Sequence, residues 1–216
     1  KKIVSAYTPE KVAEICHIDP DHLREAARMY ARAKKAPIIY CLGVTEHSTG
    51  TEGVMSVSNL AMLVGKLGRE GCGVNPLRGQ NNVQGACDMG AMPGDLPGYQ
   101  KIVKPEVREK FEKAWGVKLN EKPGVHATDV FGAAKRKEIR GLFIFGEDPV
   151  VTDADRHHVI DSLKSLDMLV VSDLFMTETA KLADVVLPAV SYAEKEGTFT
   201  NTERRVQRVR TAVKLD

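Results

Sequence analysis

Arg78, Gln80, Asn81, Asn82 and Gln84 fall close together in the run RGQNNVQGACDMG, positions 78 to 90. A guanidinium and a set of carboxamides offer many donors and acceptors and no group that titrates near neutrality. Gly79, Gly85 and Gly90 interrupt them, and backbone without Cβ atoms can come close to a polar ligand. The run has no hydrophobic period, so it reads as a loop or a frayed helix start rather than a core helix or strand. Binding of a polar ligand is one reading. A connecting loop hydrogen-bonded to itself is the other, and for an arbitrary Gly/Asn-rich stretch it is the commoner.

A second set of groups follows two strand-like runs. Gly146, Glu147, Asp148 and Pro149 come directly after LFIF, and Thr152 is placed to begin the next helix; Asp173 follows MLVVS, and Thr177 is placed to begin a helix in FMTETA. Carboxylates at strand ends accept hydrogen bonds from ribose hydroxyls or from a guanine N1–H and amino group, and helix-start amides favour phosphate. The arrangement suits a nucleotide. It equally suits Asp148 and Thr152 acting only as caps of that helix.

Other candidates carry less. His47, in TEHSTG, is expected to be solvated or hydrogen-bonded rather than catalytic. His157 and His158 are neighbours on a helix and point to different faces, which is poor metal-ligand geometry. Met55, Met62 and Met168 occupy apolar positions and are expected in the core. Cys16, Cys41, Cys72 and Cys87 form no CxxC pair, which argues against zinc ribbons and ferredoxin-type clusters. They are expected to be free thiols, Cys41 within a strand and Cys72 and Cys87 in Gly-rich loops.

These residues need a scaffold, and the pattern around them alternates helix with strand. Thr8 caps a helix with Pro9 first and Glu10 in its first turn; Asp19 and Pro20 open another, with Leu23, Ala26, Ala27, Tyr30 and Ala31 on one face. IIYCLGV reads as a buried parallel strand, TEHSTGTEG as a turn at its carboxyl end, and MSVSNLAMLVGKLG as a helix stopped by Gly68. Residues 101 to 124 are charged and amphipathic, an inserted surface helix and loop with Phe111, Trp115 and Val117 available for burial. From 125 onward helix and strand alternate three times, as in a right-handed parallel βαβαβ sheet. The expected fold class is α/β, with parallel βαβ sheets flanked by helices. Three parts are expected: 1–100 with the RGQNN loop, 101–124, and 125–216 with the strand-end carboxylates.

With 216 residues, 43% of them hydrophobic, the chain can bury a core. Its 31 basic and 29 acidic residues leave a formal charge of +2, which gives no strong pull towards nucleic acid or a membrane surface. LFIF and MLVV are far too short to span a bilayer, and the start has no signal-peptide pattern. A cytoplasmic location is expected, with a periplasmic parent compatible.

CLGVTEHSTGTEGVMSVSNLAMLVGKLGREGCGVNPLRGQNNVQGACDMGAMPGDLPGYQ, GEDPV, FMTETAKLADVVLPA and EKEGTFTNTERRVQ together resemble the middle of a formate dehydrogenase large subunit. That places the chain by resemblance in the molybdopterin oxidoreductase family, with dimethyl sulfoxide reductase and the nitrate reductases. GEDP and ADVVLP mark the wider family, whereas RGQNNVQGACDMG points to formate dehydrogenases. The resemblance implies a bis-molybdopterin guanine dinucleotide carrying molybdenum or tungsten, with a 4Fe-4S cluster nearby. Arg78 would face the metal centre and orient formate, Gln80 would contact the pterin, and Asn81, Asn82 and Gln84 would complete a polar cradle. Gly146, Glu147, Asp148, Thr152, Asp173 and Thr177 would hold the guanosine. EKEGTFTNTERRVQ, otherwise a charged exit loop, would return towards the pterin; the family more often has EGRVQ where this chain reads ERRVQ, so no site role passes to Arg204.

The family's cluster cysteines, its metal-ligating Cys or selenocysteine and its carboxyl-terminal domain are not in this sequence. The chain is therefore expected to be an internal portion of the parent subunit, inactive alone and bare on the faces that pack against the remaining domains. Its partners would be formate, those domains and an iron–sulfur electron-transfer subunit, without nucleic acid. Two alternatives stay open: an electron-transfer scaffold like the large iron–sulfur subunit of respiratory complex I, and a non-catalytic nucleotide-binding α/β module.

Overall fold

Helix caps written into the sequence set the first elements of the computed structural model, which describes residues 4–214. The Thr8 hydroxyl accepts from the Lys11 N–H at 3.3 Å to start α1 (Pro9–Cys16), and the Asp19 carboxylate accepts from Asp21 and His22 at 2.7 and 3.3 Å to start α2 (Pro20–Arg32). Each satisfies amides that a helix start leaves without partners. By internal packing the chain divides into two units, Lys1–Gln80 and Asn81–Asp216. The division at 100 and 124 expected from composition remains a proposal.

In the first unit β1 (Pro37–Tyr40) pairs in parallel with β2 (Gly73–Pro76). α3 (Leu42–Thr45) follows β1 at once, and α4 (Gly50–Leu63) crosses over to β2. Gly50 is obligatory here, because a Cβ would fall 2.1 Å from the Thr45 carbonyl oxygen. α4 starts earlier than the sequence pattern indicates and stops at Leu63, five residues before Gly68, because Gly65 already adopts a left-handed φ of 67°. Cys41 lies just beyond β1 and is half-buried. Met55 and Met62 are exposed, not core, as α4 buries only Gly50 and Ala61. Lys66 is buried instead: its ammonium donates to the carbonyls of Ala33 and Ala31, capping the end of α2.

The second unit holds the hydrophobic core. α5 (Val83–Asp88) leads to a short antiparallel pair, β3 (Asp95–Leu96) with β4 (Gln100–Lys101), and then to α6 (Pro105–Trp115). α6 buries Phe111, whose ring lies 4.9 Å from that of Trp115, while Trp115 and Val117 stay exposed. α7 (Ala127–Lys135), β5 (Gly141–Phe145), α8 (Pro149–Thr152), α9 (Arg156–Lys164), β6 (Met168–Asp173) and β7 (Val185–Pro188) form a parallel three-stranded sheet in the order β5-β6-β7. Phe131, Ile144, Val150, Val159, Leu163, Leu169, Val171 and Ala180 make the core against one face of that sheet. Each fully buried aliphatic side chain there contributes roughly 1.5–3 kcal/mol. Met168 lies outside this core, exposed at the start of β6. Between β6 and β7 the expected helix at FMTETA is a pair of turns and a single 3-10 turn, Ala180–Leu182. The chain then forms a hairpin, β8 (Gly197–Thr200) with β9 (Val206–Val209), where sequence suggested only a charged loop. Among the described residues no helix is long and apolar enough to cross a membrane.

Candidate functional site

Parallel strands end together at one edge of a sheet, and polar residues cluster on the loops leaving that edge. In the first unit Tyr40 of β1 is in register with Pro76 of β2. The Leu77 N–H donates to the Tyr40 carbonyl at 2.8 Å, and the Cys41 thiol donates to the Leu77 carbonyl at 3.1 Å. These contacts carry the pairing past the strand ends and deliver Arg78 onto the surface. Its guanidinium is exposed and has no hydrogen-bond or ion-pair partner among the described residues. Gln80 is exposed as well. His47, on the loop after β1, hydrogen-bonds through Nε2 to the Gly43 carbonyl at 2.9 Å, a local bond of the expected kind.

The second unit begins at Asn81, and here the polar run is used internally. Asn82 accepts from the Thr200 N–H at 3.0 Å and donates to the Thr198 carbonyl at 3.4 Å, so its amide grips the backbone edge of β8. Gln84 donates to the Asp88 carboxylate at 2.9 Å and to the Tyr99 hydroxyl oxygen at 2.8 Å. Hydrogen bonds from Gln84 and then Tyr99 hold the Asp88 carboxyl below the usual carboxylate range. Burial, then Asp88, pushes the Tyr99 phenol up. Asn82 and Gln84, expected to help form a polar cradle, are thus hydrogen-bonded within this unit, while Asn81 is exposed. Residues 83 to 88, expected as a loop or a frayed helix start, form the short helix α5 with Gly85 and Cys87 buried; a Cβ on Gly85 would meet Asn82 Oδ1 at 2.3 Å, so the small residues that weaken the helix signal are what let it pack.

At the carboxyl edge of β5-β6-β7, Gly146 turns the chain with φ 66° and its N–H donates to the Ser172 carbonyl at 2.8 Å. Glu147 is exposed. Thr152 does not begin a helix: it ends α8, and its hydroxyl has the Glu147 carboxylate at 3.0 Å, the Asp148 carbonyl at 3.2 Å and the Asp153 carboxylate at 3.4 Å within reach. The next helix is capped by Asp155, which accepts from the His158 N–H at 3.0 Å. Asp173 ends β6, half-buried, and accepts from the Phe175 N–H at 3.1 Å. The Thr177 hydroxyl accepts from the Ala180 N–H at 3.1 Å and so starts the 3-10 turn.

Asp148 does not cap α8 with its side chain. Its Oδ1 accepts from the Thr179 N–H at 3.0 Å and from the Thr179 hydroxyl at 2.5 Å, and the same hydroxyl oxygen accepts from the Val150 N–H at 3.1 Å. Thr179 is completely buried. Sequence reasoning passed over it, since its partner lies 31 positions away and a threonine in TETA has no distinguishing spacing. Among the described residues no group of three or more His, Cys, Asp or Glu could hold a metal ion.

Comparisons with known proteins place the chain as a whole. The family model for molybdopterin oxidoreductase matches residues 14–216. The chain is 58% identical over 214 residues to the F420-dependent formate dehydrogenase 2 subunit alpha of Methanococcus maripaludis, covering 99% of this chain and 31% of that protein. It is 49% identical over 214 residues to formate dehydrogenase H of Escherichia coli, covering 99% of this chain and 30% of that protein. Among solved structures, acetylene hydratase from Pelobacter acetylenicus shares the fold with a TM-score of 0.68 at 22% identity, over 99% of this chain and 32% of that one. The chain thus spans about a third of the length of the curated relatives it matches.

Proposed function

The chain belongs to the molybdopterin oxidoreductase family, and on that footing we propose that it is the part of a formate dehydrogenase large subunit that orients formate and holds one guanosine end of the cofactor. The observation that carries the reading is Arg78, an exposed guanidinium at the carboxyl end of the β1–β2 pair, without an ion-pair partner among the described residues. Formate is a planar carboxylate, and a guanidinium that stays charged can present two parallel N–H groups to its oxygens. The names of the relatives support formate as the substrate.

A bis-molybdopterin guanine dinucleotide, with molybdenum or tungsten, would supply a centre able to take two electrons from formate as its C–H bond breaks and its proton is released, leaving carbon dioxide. The residues present fit its guanosine: Gly146 leaves open space where a Cβ would stand, Glu147 is exposed, and Asp173 is only half-buried at the neighbouring strand end. Glu147 and Asp173 would accept hydrogen bonds from guanine or ribose, with Thr152 and Thr177 beside them. Gln80 and Asn81, both exposed, would meet the pterin. The 4Fe-4S cluster and the metal ligand would come from the remaining polypeptide, and electrons would leave through an iron–sulfur subunit.

Formate kinetics of the full-length polypeptide test the reading. Losing a charge-assisted pair costs about 3 kcal/mol, so Arg78→Ala is expected to lower kcat/KM for formate about 100-fold with the cofactor retained. Arg78→Lys, which keeps the charge and loses the fork, is expected to recover roughly half of that loss in free energy. Unaltered kinetics in Arg78→Ala would remove Arg78 from the substrate.

A further inference from the structure

Two loops carry the groups assigned to guanosine. One leaves β5 with Gly146 and Glu147 and ends at Thr152; the other leaves β6 with Asp173 and runs through Thr177 to Thr179. Loops at a sheet edge are held by their strands at the root and are free to part beyond it. Here something ties them beyond the root. Asp148, on the first loop, accepts both the backbone N–H and the hydroxyl of Thr179, on the second, at 3.0 and 2.5 Å. The Thr179 hydroxyl oxygen in turn accepts from the Val150 N–H at 3.1 Å. One buried side chain thus meets both a carboxylate and a backbone amide of the opposite loop, and Thr179 is 0% exposed. In such surroundings an unmade hydrogen bond costs the full desolvation of the orphaned group, so the three bonds form or fail together.

We propose that Thr179 is a positioning residue that acts through Asp148 to fix the β5 loop against the β6 loop, setting the spacing of Glu147 and Asp173 for a guanosine. Asp148 is then the anchor of the site and not one of its ligands. Its engaged oxygen faces inward to Thr179, while Glu147 next to it faces solvent. The inference rests on the guanosine reading above, and two readouts on the full-length polypeptide keep them apart.

The first is hydrogen exchange without nucleotide, in wild type, Thr179→Val and Thr179→Ser. Thr179→Val keeps the shape and removes the hydroxyl; it is expected to speed amide exchange about tenfold in both 147–152 and 173–180, while Thr179→Ser stays close to wild type. The second is the affinity of cofactor-free protein for guanosine 5′-monophosphate. Thr179→Val is expected to weaken it about tenfold, as is Glu147→Gln, whereas Asp148→Asn, which retains an acceptor oxygen for Thr179, shifts it less than about threefold. Faster exchange in one loop only, or in neither, would overturn the coupling. So would Asp148→Asn losing affinity as Glu147→Gln does while both loops stay protected, since Asp148 would then be a ligand. If both loops loosen together in Thr179→Val but the wild-type protein has no affinity for the nucleotide, the guanosine reading is overturned and the coupling upheld.

Discussion

Arg204 sits in backbone that favours glycine. Its φ is 60°, directly after a turn closed by its own N–H to the Asn201 carbonyl at 2.9 Å, with the Asn201 carboxamide accepting from Arg205 at 3.0 Å. A hairpin turn followed by one left-handed residue is a position that favours glycine, so the EGRVQ that the resemblance leads one to expect in place of ERRVQ would have a physical reason in this conformation. The left-handed conformation costs a side-chain-bearing residue about 1–2 kcal/mol, partly offset by the greater entropy that glycine loses on folding. Arg204→Gly is therefore expected to stabilise the protein by about 0.5–1 kcal/mol, read as a higher denaturation midpoint; a lower midpoint would show that the arginine side chain matters more than its backbone. At this scale the sequence is a good guide to which residues are polar and available, and a poor one to which are already engaged. Arg78 and Asn81 are exposed, but Asn82 is held by backbone 116 and 118 positions further on. No local pattern reveals that.

α5 is held mostly by its side chains. Six residues are too few to stand alone in water, and Asn82, Gln84 and Asp88 tie it to β8 and to Tyr99. Asp88 is the titratable member, facing Gln84, Tyr99 and Thr200 by hydrogen bond and Arg204 by charge. Its folded pKa lies below the unfolded value, so its contribution is fully present above the usual carboxylate range and is lost as pH falls through the depressed value. Several other carboxylates behave alike, so the informative quantity is a difference. The stability gap between wild type and Asp88→Asn is expected to be widest near neutrality and to close below about pH 4; a gap independent of pH would exclude the charge of Asp88 from the lock. Elements announced by local chemistry are legible in sequence: α1 and α2 begin at the caps that Thr8 and Asp19 predict. Elements defined by distant pairing are not. The Thr–Phe–Thr alternation in TFT is too short a strand signal to separate β8 from a loop, and Thr152 resembles a helix start because the Asp155 cap lies only three residues beyond it.

On the scale of the whole molecule, the parallel sheet of the second unit shows an imbalance. Leu142, Ile144, Leu169, Val171 and Val186 face the core, while Phe143, Phe145, Met168, Val185 and Leu187 remain exposed, Phe145 to 72%. Parallel sheets are ordinarily covered on both faces, and a contiguous apolar patch draws a partner. The 216-residue polypeptide by itself is expected to bind a hydrophobic dye and to self-associate, with Phe145→Thr lowering dye binding; a monodisperse monomer that binds no dye would contradict this. The α/β class with parallel sheets was readable from alternating helix and strand patterns. The bareness of this face was legible only through the resemblance, because alternation along β5 says which residues share a face and not what covers it. Formate-dependent dye reduction in the anaerobically purified full-length polypeptide, with metal and pterin quantified in the same sample, tests whether Arg78 acts on formate at such a centre. Turnover in proportion to bound molybdenum or tungsten, lost in Arg78→Ala with metal and pterin retained, is the predicted result; a wild-type protein without metal, pterin or turnover would contradict it and favour an electron-transfer scaffold.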